Sequence, residues 1–195
     1  MFYWFARFIC RVVLLLRRMK VSGGANVPRQ GGLLIVSNHV SYWDPAAVGS
    51  ALKRKVHFMA KAELFAIPAF GTIITWCEAF PVSRGGTDQK AVRTALQFLR
   101  QGEVVGIFPE GTRSHTSELL DPHLGAAMLA VHGNAAVLPV AVIGTRGFLG
   151  RVKVVIGRPL NFSKPKTKSD LKENYRVISL QIMNEISELM GGKER

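Results

Sequence analysis

Apolar residues fall along this chain in two kinds of run, short unbroken ones and longer ones at helical spacing. Leu33-Leu34-Ile35-Val36 is unbroken and of strand length, as in a strand buried on both faces. Residues 56–60, 80–82, 104–108, 136–143 and 152–156 read as further strands. Residues 45–52 fit a short helix with Pro45 in its first turn. Residues 63–67 and 70–76 are two apolar, helix-like pieces parted by Pro68. The plainest helix covers 88–100: Val92, Ala95, Leu96 and Leu99 form its stripe, Thr87 or Asp88 caps it, and Gly102 stops it. Residues 125–132 make a small-residue helix. Leu171, Tyr175, Ile178, Ile182, Ile186 and Leu189 recur at helical spacing and predict a closing helix over 171–189, capped by Ser169. Residues 21–32, rich in Gly, Pro and Asn, read as a loop. Strands alternating with helices predict an α/β fold, a mostly parallel or mixed central sheet covered by helices. No repeat or low-complexity linker divides the chain, and 195 residues suit one well-buried domain.

The N-terminus breaks this pattern. Residues 1–16 are strongly apolar, yet Arg7 and Arg11 interrupt them and Arg17-Arg18 follow at once. A spanning helix needs about 20 apolar residues, and a signal peptide carries its charge first and a small-residue cleavage site after. Wound as a helix, Arg7, Arg11 and Arg18 share one narrow stripe, with Phe2, Phe5, Ile9, Val12, Val13 and Leu16 across from it and Trp4 and Phe8 at the margins. This predicts an amphipathic helix lying in a membrane interface, apolar side among the acyl chains and arginines at the headgroups. Packing on the domain's own core and a short span are the alternatives. The expected division is therefore 1–20 as a membrane-interface helix and 21–195 as a single domain.

Charge sharpens that expectation. Lys and Arg number 26 against 13 Asp and Glu, a net +13 that seeks phosphate on nucleic acid, on an anionic membrane or on a phosphorylated substrate. Lys53-Arg54-Lys55 reads as a solvated basic face, with contact to anionic lipid as the sharper option. The two cysteines, Cys10 and Cys77, lack CxxC partners, which excludes a disulfide framework and zinc-type spacing and favours a reducing, cytosol-facing location.

Two strand ends gather polar residues. The first is Ser37-Asn38-His39-Val40-Ser41-Tyr42-Trp43-Asp44-Pro45. On one continuous helix His39 and Asp44 would stand roughly 140° apart. They converge only if the chain turns between them, with His39 near the strand end and Asp44 in the first turn of the next helix, where open α/β sheets place their sites. The plainer alternative is a surface histidine and an N-cap aspartate. The second cluster is Phe108-Pro109-Glu110-Gly111-Thr112-Arg113-Ser114, on the same carboxyl edge if the sheet is parallel. Arg113 and Arg84 suit a phosphate through the guanidinium fork, and Lys61 as a point charge; a surface charge or salt bridge is the alternative for each. There is no G-x-S-x-G elbow, no cysteine beside a base and no G-x-x-x-x-G-K-[ST] loop. Gly23-Gly24 and Gly85-Gly86 are too short to cradle phosphate, and His115, His123 and His132 lack metal spacing, so no metal site is expected. A His–Asp pair without a protein nucleophile suits an enzyme whose nucleophile is a substrate hydroxyl and whose electrophile arrives activated.

Asn38-His39-Val40-Ser41-Tyr42-Trp43-Asp44 resembles the H-x4-D motif of the glycerolipid acyltransferase family, and Phe108 to Ser114 matches its F-P-E-G-T-R-S block. Lys61-Ala62-Glu63-Leu64-Phe65, with Gly71 and Phe80-Pro81-Val82-Ser83-Arg84-Gly85, resembles its second block, and Val137-Leu138-Pro139-Val140-Ala141 its fourth. In this order the blocks cover residues 33–157. The chain departs from the pattern at Leu124, where many relatives carry a basic residue or proline. The resemblance implies an acyltransferase domain that moves an acyl group from acyl-CoA or an acyl carrier protein to the free hydroxyl of a lysophospholipid phosphate such as 1-acyl-glycerol 3-phosphate. It makes His39 the general base and Asp44 its partner. Glu110 and Gly111 would hold the acceptor's glycerol, with Thr112 in the same substrate-binding set. Arg84 and Arg113 would take the phosphate with help from Lys61, and Pro139 would shape the side where an acyl chain lies. The implied donor is a co-substrate, with no bound cofactor or metal. The implied partners are the lysophospholipid, the donor and an anionic membrane surface, without nucleic acid, at the cytoplasmic face of the cell membrane as a peripheral or monotopic protein. A relative with another acceptor, a lyso-aminolipid or glycerol 3-phosphate, is the competing reading. A non-enzymatic basic module for membrane or nucleic acid would explain the charge but not the paired motifs, and the interleaved aromatics of single-strand binders are missing.

Overall fold

The chain runs through α1 (Phe2–Leu16), β1 (Lys20–Ser22), β2 (Leu33–Ser37), α2 (Asp44–Ala51), β3 (Val56–Lys61), α3 (Phe70–Trp76), β4 (Phe80–Val82), α4 (Gln89–Arg100), β5 (Val104–Ile107), α5 (Gly125–Gly133), β6 (Ala136–Ile143), β7 (Lys153–Ile156) and α6 (Leu171–Gly191), with single 3-10 turns at Gly24–Asn26 and Ala62–Ala66. The structure is a computed structural model and describes residues 1–83, 88–116, 118–147, 150–164 and 171–191. The expected caps Thr87 and Ser169 lie outside the described residues. Asp88 is seen capping α4, its carboxylate accepting from the Ala91 N–H at 3.0 Å.

The strands form one sheet in the order β1-β7-β6-β2-β5-β3-β4. Strands β6, β2, β5, β3 and β4 are parallel to one another, and β7 turns back antiparallel to β6 with β1 parallel to it. The sheet is therefore mixed. Every residue of the central strand β2 is buried because helices cover both faces. Leu33 and Ile35 pack with Leu14, Ala47, Val48 and Leu52 on the α1–α2 side. Leu34 and Val36 pack with Leu99, Ala127, Ile182 and Ile186 under α4, α5 and α6. Pro139 is tolerated in the inner strand β6: its carbonyl accepts from the Gly157 N–H at 2.9 Å, so its missing N–H points to the same side, where the β6–β7 ladder has ended at Ile156. The loop expected over 21–32 instead opens with β1. That strand is three residues long and exposed throughout, so it has no apolar alternation to announce it.

Helix α1 has the predicted amphipathicity, but its arginines point the other way. Arg7 donates through Nε to the Gly49 carbonyl at 3.1 Å and through Nη2 to Leu52, and Arg11 donates to Ser50 at 2.9 Å. These are carbonyls left unpaired at the end of α2, a partial negative charge that attracts guanidinium. The expected placement at the headgroups is thus corrected for Arg7 and Arg11, which bind the domain. The apolar side faces outward, with Phe5 63 %, Phe8 62 % and Leu16 81 % exposed. Beside it lie the exposed Ile67, Phe70, Ile73 and Trp76, and the Phe2 and Trp76 rings meet edge-on at 4.9 Å. No helix among the described residues is long and apolar enough to cross a membrane. Within the basic run 53–55, Lys53 is exposed but its two neighbours are engaged. The Arg54 guanidinium binds the carbonyls of Pro28, Gly31 and Gly102, and Lys55 pairs with Glu78 at 2.6 Å.

Replacing Arg7 by Met removes charged hydrogen bonds that the α2 carbonyls cannot replace within the fold. Stability is expected to drop by about 1–2 kcal/mol, read as a lower denaturant midpoint; an unchanged midpoint would contradict the anchoring role.

Candidate active site

The polypeptide leaves β2 at Ser37, and the buried Asn38 carries the pairing one step further with its side chain. Its amide donates to the Val142 carbonyl at 2.9 Å and accepts from the Val142 N–H at 2.8 Å. This holds His39 at the carboxyl edge of the sheet. The chain then turns so that Asp44, the first residue of α2, comes back under the histidine. His39 Nδ1 lies 2.8 Å from Asp44 Oδ2, which also accepts from the N–H groups of Val40 and Ser41 at 2.7 Å each. Asp44 Oδ1 accepts from the Thr145 hydroxyl. A carboxylate with 0 % exposure is thereby matched by four donors. In the neutral imidazole, Asp44 as the acceptor at Nδ1 requires the tautomer whose Nε2 is an acceptor. The imidazole, 16 % exposed, stacks on Phe108 at 4.1 Å, and Phe108 is backed by Phe58 at 6.0 Å. Gly106 makes room for that backing ring, since a Cβ there would stand 2.5 Å from Phe58.

The second motif leaves β5, the parallel neighbour of β2, and locks onto the first. The Ser114 N–H donates to the His39 carbonyl at 2.7 Å. Glu110 is 3 % exposed; Oε1 accepts from the His39 N–H at 2.7 Å and Oε2 from the Leu120 N–H at 3.0 Å. Burial pushes its carboxyl above the ordinary glutamate value, against the pull of those two N–H groups. Gly111 has φ +65°, a conformation that favours glycine, and a Cβ there would lie 2.6 Å from the His123 ring, which would have to shift. Thr112 is exposed. The Arg113 guanidinium sits over the Tyr42 ring at 3.6 Å, and among the described residues no carboxylate pairs with it.

Other expected site residues are placed less directly. Lys61 ends β3 and pairs with Glu63 at 3.0 Å. Pro139 is buried opposite Val36, and a Cβ at Gly157 would come within 2.9 Å of its ring, so it lies within the sheet layer. Arg84 lies outside the described residues. No three His, Cys, Asp or Glu side chains among the described residues converge to hold a metal ion.

A third segment, which the sequence reading passed over, joins both motifs: the turn Gly144-Thr145-Arg146-Gly147 after β6. Thr145 holds Asp44, while Arg146 donates to the carbonyls of Ser114, His115 and Thr116 at 2.7, 2.8 and 2.9 Å. A lone threonine and arginine between two glycines carry no recognisable spacing to either motif. Only the strand order β6-β2-β5 brings them there.

Known proteins share this fold and much of this sequence. The crystal structure of the 1-acyl-sn-glycerophosphate (LPA) acyltransferase from Thermotoga maritima has the same fold, with a TM-score of 0.65 at 23 % identity over 97 % of this chain and 83 % of that one. The 1-acyl-sn-glycerol-3-phosphate acyltransferase of Bacillus subtilis is 35 % identical over 82 % of this chain and 82 % of its own. Its counterpart in Streptococcus pneumoniae is 31 % identical over 97 % of this chain and 73 % of its own. Fold and relatives define an α/β enzyme that transfers acyl groups to oxygen. The chain belongs to the Acyltransferase family, whose model matches residues 18–143.

The raised Glu110 carboxyl sets a pH signature. A group whose folded pKa lies above its unfolded value contributes stability below the ordinary value of 4.5, and that contribution is lost as pH rises through the folded value. The difference in melting temperature between wild type and Glu110→Gln should therefore shrink as pH climbs from 4.5 through this window. A difference that widens over the same range would reverse the assigned direction.

Proposed function

We propose that the protein transfers an acyl group from acyl-CoA or an acyl carrier protein to the free hydroxyl of 1-acyl-sn-glycerol 3-phosphate, giving phosphatidic acid. The observation that carries this reading is the His39–Asp44 pair at 2.8 Å, with Nε2 making no hydrogen bond among the described residues and Arg113 presented by the adjoining loop. His39 Nε2 takes the proton of the acceptor hydroxyl as that oxygen attacks the thioester carbonyl carbon. The tetrahedral intermediate collapses, the carbon–sulfur bond breaks, and the departing thiolate receives the proton from Nε2. Asp44 keeps the other proton on Nδ1 and steadies the imidazolium between the two transfers. No protein nucleophile is needed, because the thioester is already activated.

Arg113, without a carboxylate partner among the described residues and stiffened by Tyr42, is assigned to the acceptor phosphate. Arg84 is proposed for the same group from its place in the motif. Lys61 reaches it only by sharing its charge with Glu63. Glu110 is assigned to holding His39 and the 108–120 loop rather than the glycerol, since both its oxygens are occupied. Gly111 and Thr112 remain assigned to the acceptor side, and Pro139 to the wall beneath it. Residues 1–20 are proposed as the membrane contact, on the cytoplasmic face. The exposed aromatic side of α1, adjoined by Phe70 and Trp76, enters the acyl region, and the surplus of 26 basic over 13 acidic residues favours anionic lipid.

The reading is tested with purified protein, acyl-CoA or acyl carrier protein, and a panel of acceptors dispersed in detergent. Phosphatidic acid should form from lysophosphatidic acid; product only from a lyso-aminolipid or glycerol 3-phosphate would replace the acceptor. His39→Ala should lower kcat by about 10²–10⁴-fold, and an active variant removes the base. Arg113→Ala should raise the acceptor KM by about tenfold with kcat little changed; an unaltered KM removes it from the phosphate site. Separately, Phe5→Ser with Phe8→Ser should reduce co-sedimentation with anionic vesicles, while full retention would place the membrane contact elsewhere.

A further inference from the structure

We infer that Thr145 is a positioning residue for the base, and that Arg17, from the end of α1, holds Thr145 in place. This rests on the reading of His39 and Asp44 as the catalytic pair. Thr145 has 0 % exposure, and its hydroxyl donates to Asp44 Oδ1, the oxygen left over when His39, Val40 and Ser41 have claimed Oδ2. Three donors hold Asp44 at Oδ2 alone, and a second point of attachment narrows the remaining rotation about the Cβ–Cγ bond. A donor on the other oxygen fixes the plane, and with it the direction in which Oδ2 meets the imidazole.

Thr145 is itself clamped. Its carbonyl accepts from Ser41 Oγ at 3.2 Å and from both terminal nitrogens of Arg17 at 3.3 Å, and Arg17 Nη2 also binds the Gly144 carbonyl at 3.0 Å. Gly144 adopts φ +75°, and a Cβ there would stand 2.0 Å from the Arg151 carbonyl, so the turn has no slack on that side. A continuous path of polar contacts therefore runs from Arg17, the C-cap of α1, through the 144–145 backbone and the Thr145 hydroxyl to Asp44 and His39. The helix that exposes the apolar side is wired to the base it serves.

The test measures kcat and acceptor KM in detergent micelles, where vesicle binding does not limit, for full-length variants whose melting curves show a folded protein. Thr145→Val should lower kcat by about tenfold or more, with acceptor KM within about twofold of wild type. Thr145→Ser, which keeps the hydroxyl, should restore most of the rate. Thr145→Ala removes the hydroxyl without setting a methyl against the carboxylate and should show the same loss, so it decides the matter if the valine variant does not fold. Wild-type kcat in either hydroxyl-free variant overturns the inference, as does a serine variant no better than valine. Arg17→Met should lower kcat by a smaller factor with KM unchanged, and a wild-type rate there breaks the link to α1. His39→Ala in the same series separates the failures. If it retains activity, the catalytic pair itself is misread; if it is inactive while the Thr145 variants run at full rate, only the present inference falls.

Discussion

A fully buried carboxylate is the constraint on which the rest of this site depends. Asp44 has no exposure, and an ionised carboxylate in that place is tolerable only if hydrogen bonds replace its lost hydration. Its donors come from separate stretches of chain: the 39–41 turn supplies three and the turn after β6 supplies the fourth. Satisfying one charge therefore brings the β2–α2 connection and the β6–β7 connection together. Glu110 does the same between the two motif loops, accepting from His39 on one and Leu120 on the other. The acidic side chains of this basic protein that matter most are connectors.

The same logic explains α1. An amphipathic helix with arginines on one side and aromatics on the other has two ways to lie. Hydrophobic burial alone would turn the aromatics inward. The opposite arrangement wins because the end of α2 offers unpaired carbonyls within reach of Arg7 and Arg11, and bonds from a guanidinium to such acceptors exceed neutral ones in strength. Tyr3 and Leu14 supply the apolar part of that contact, with the Tyr3 hydroxyl accepting from the Val56 N–H at 3.0 Å. The outward aromatics are then a consequence of what the arginines bind.

Much of the sheet was readable from hydrophobic runs. The 33–36 run predicted β2 because a strand buried on both faces leaves an unbroken apolar signature, and 136–143 coincides with β6 for the same reason. The one-sided and short elements were harder. β1 is too brief and too exposed to show a period, and its place depends on β7, more than a hundred residues away. Within the site, His39, Asp44 and Glu110 announced themselves as polar residues at strand ends, whereas the manner in which Glu110 is used did not. A carboxylate looks alike in sequence whether it faces a ligand or two backbone N–H groups. Thr145 and Arg146 were silent because their partners are set by strand order, which no local pattern encodes.

That dependence on strand order has a consequence for how the parts cooperate. The pair follows β2, the Arg113 loop follows β5 and the Thr145 turn follows β6, three adjacent strands whose register is set by packing on both faces. Each loop is held by a side chain from another: Arg146 grips 114–116, Glu110 grips His39, and Thr145 grips Asp44. A change in one connection is therefore felt at the others as a shift in geometry rather than as a lost ligand. Catalysis by a base tolerates little such shift, because proton transfer requires the heavy atoms within hydrogen-bond reach. The reciprocal grip of the loops, more than any single motif, is what fixes the direction of the His39 imidazole at the carboxyl edge of the sheet.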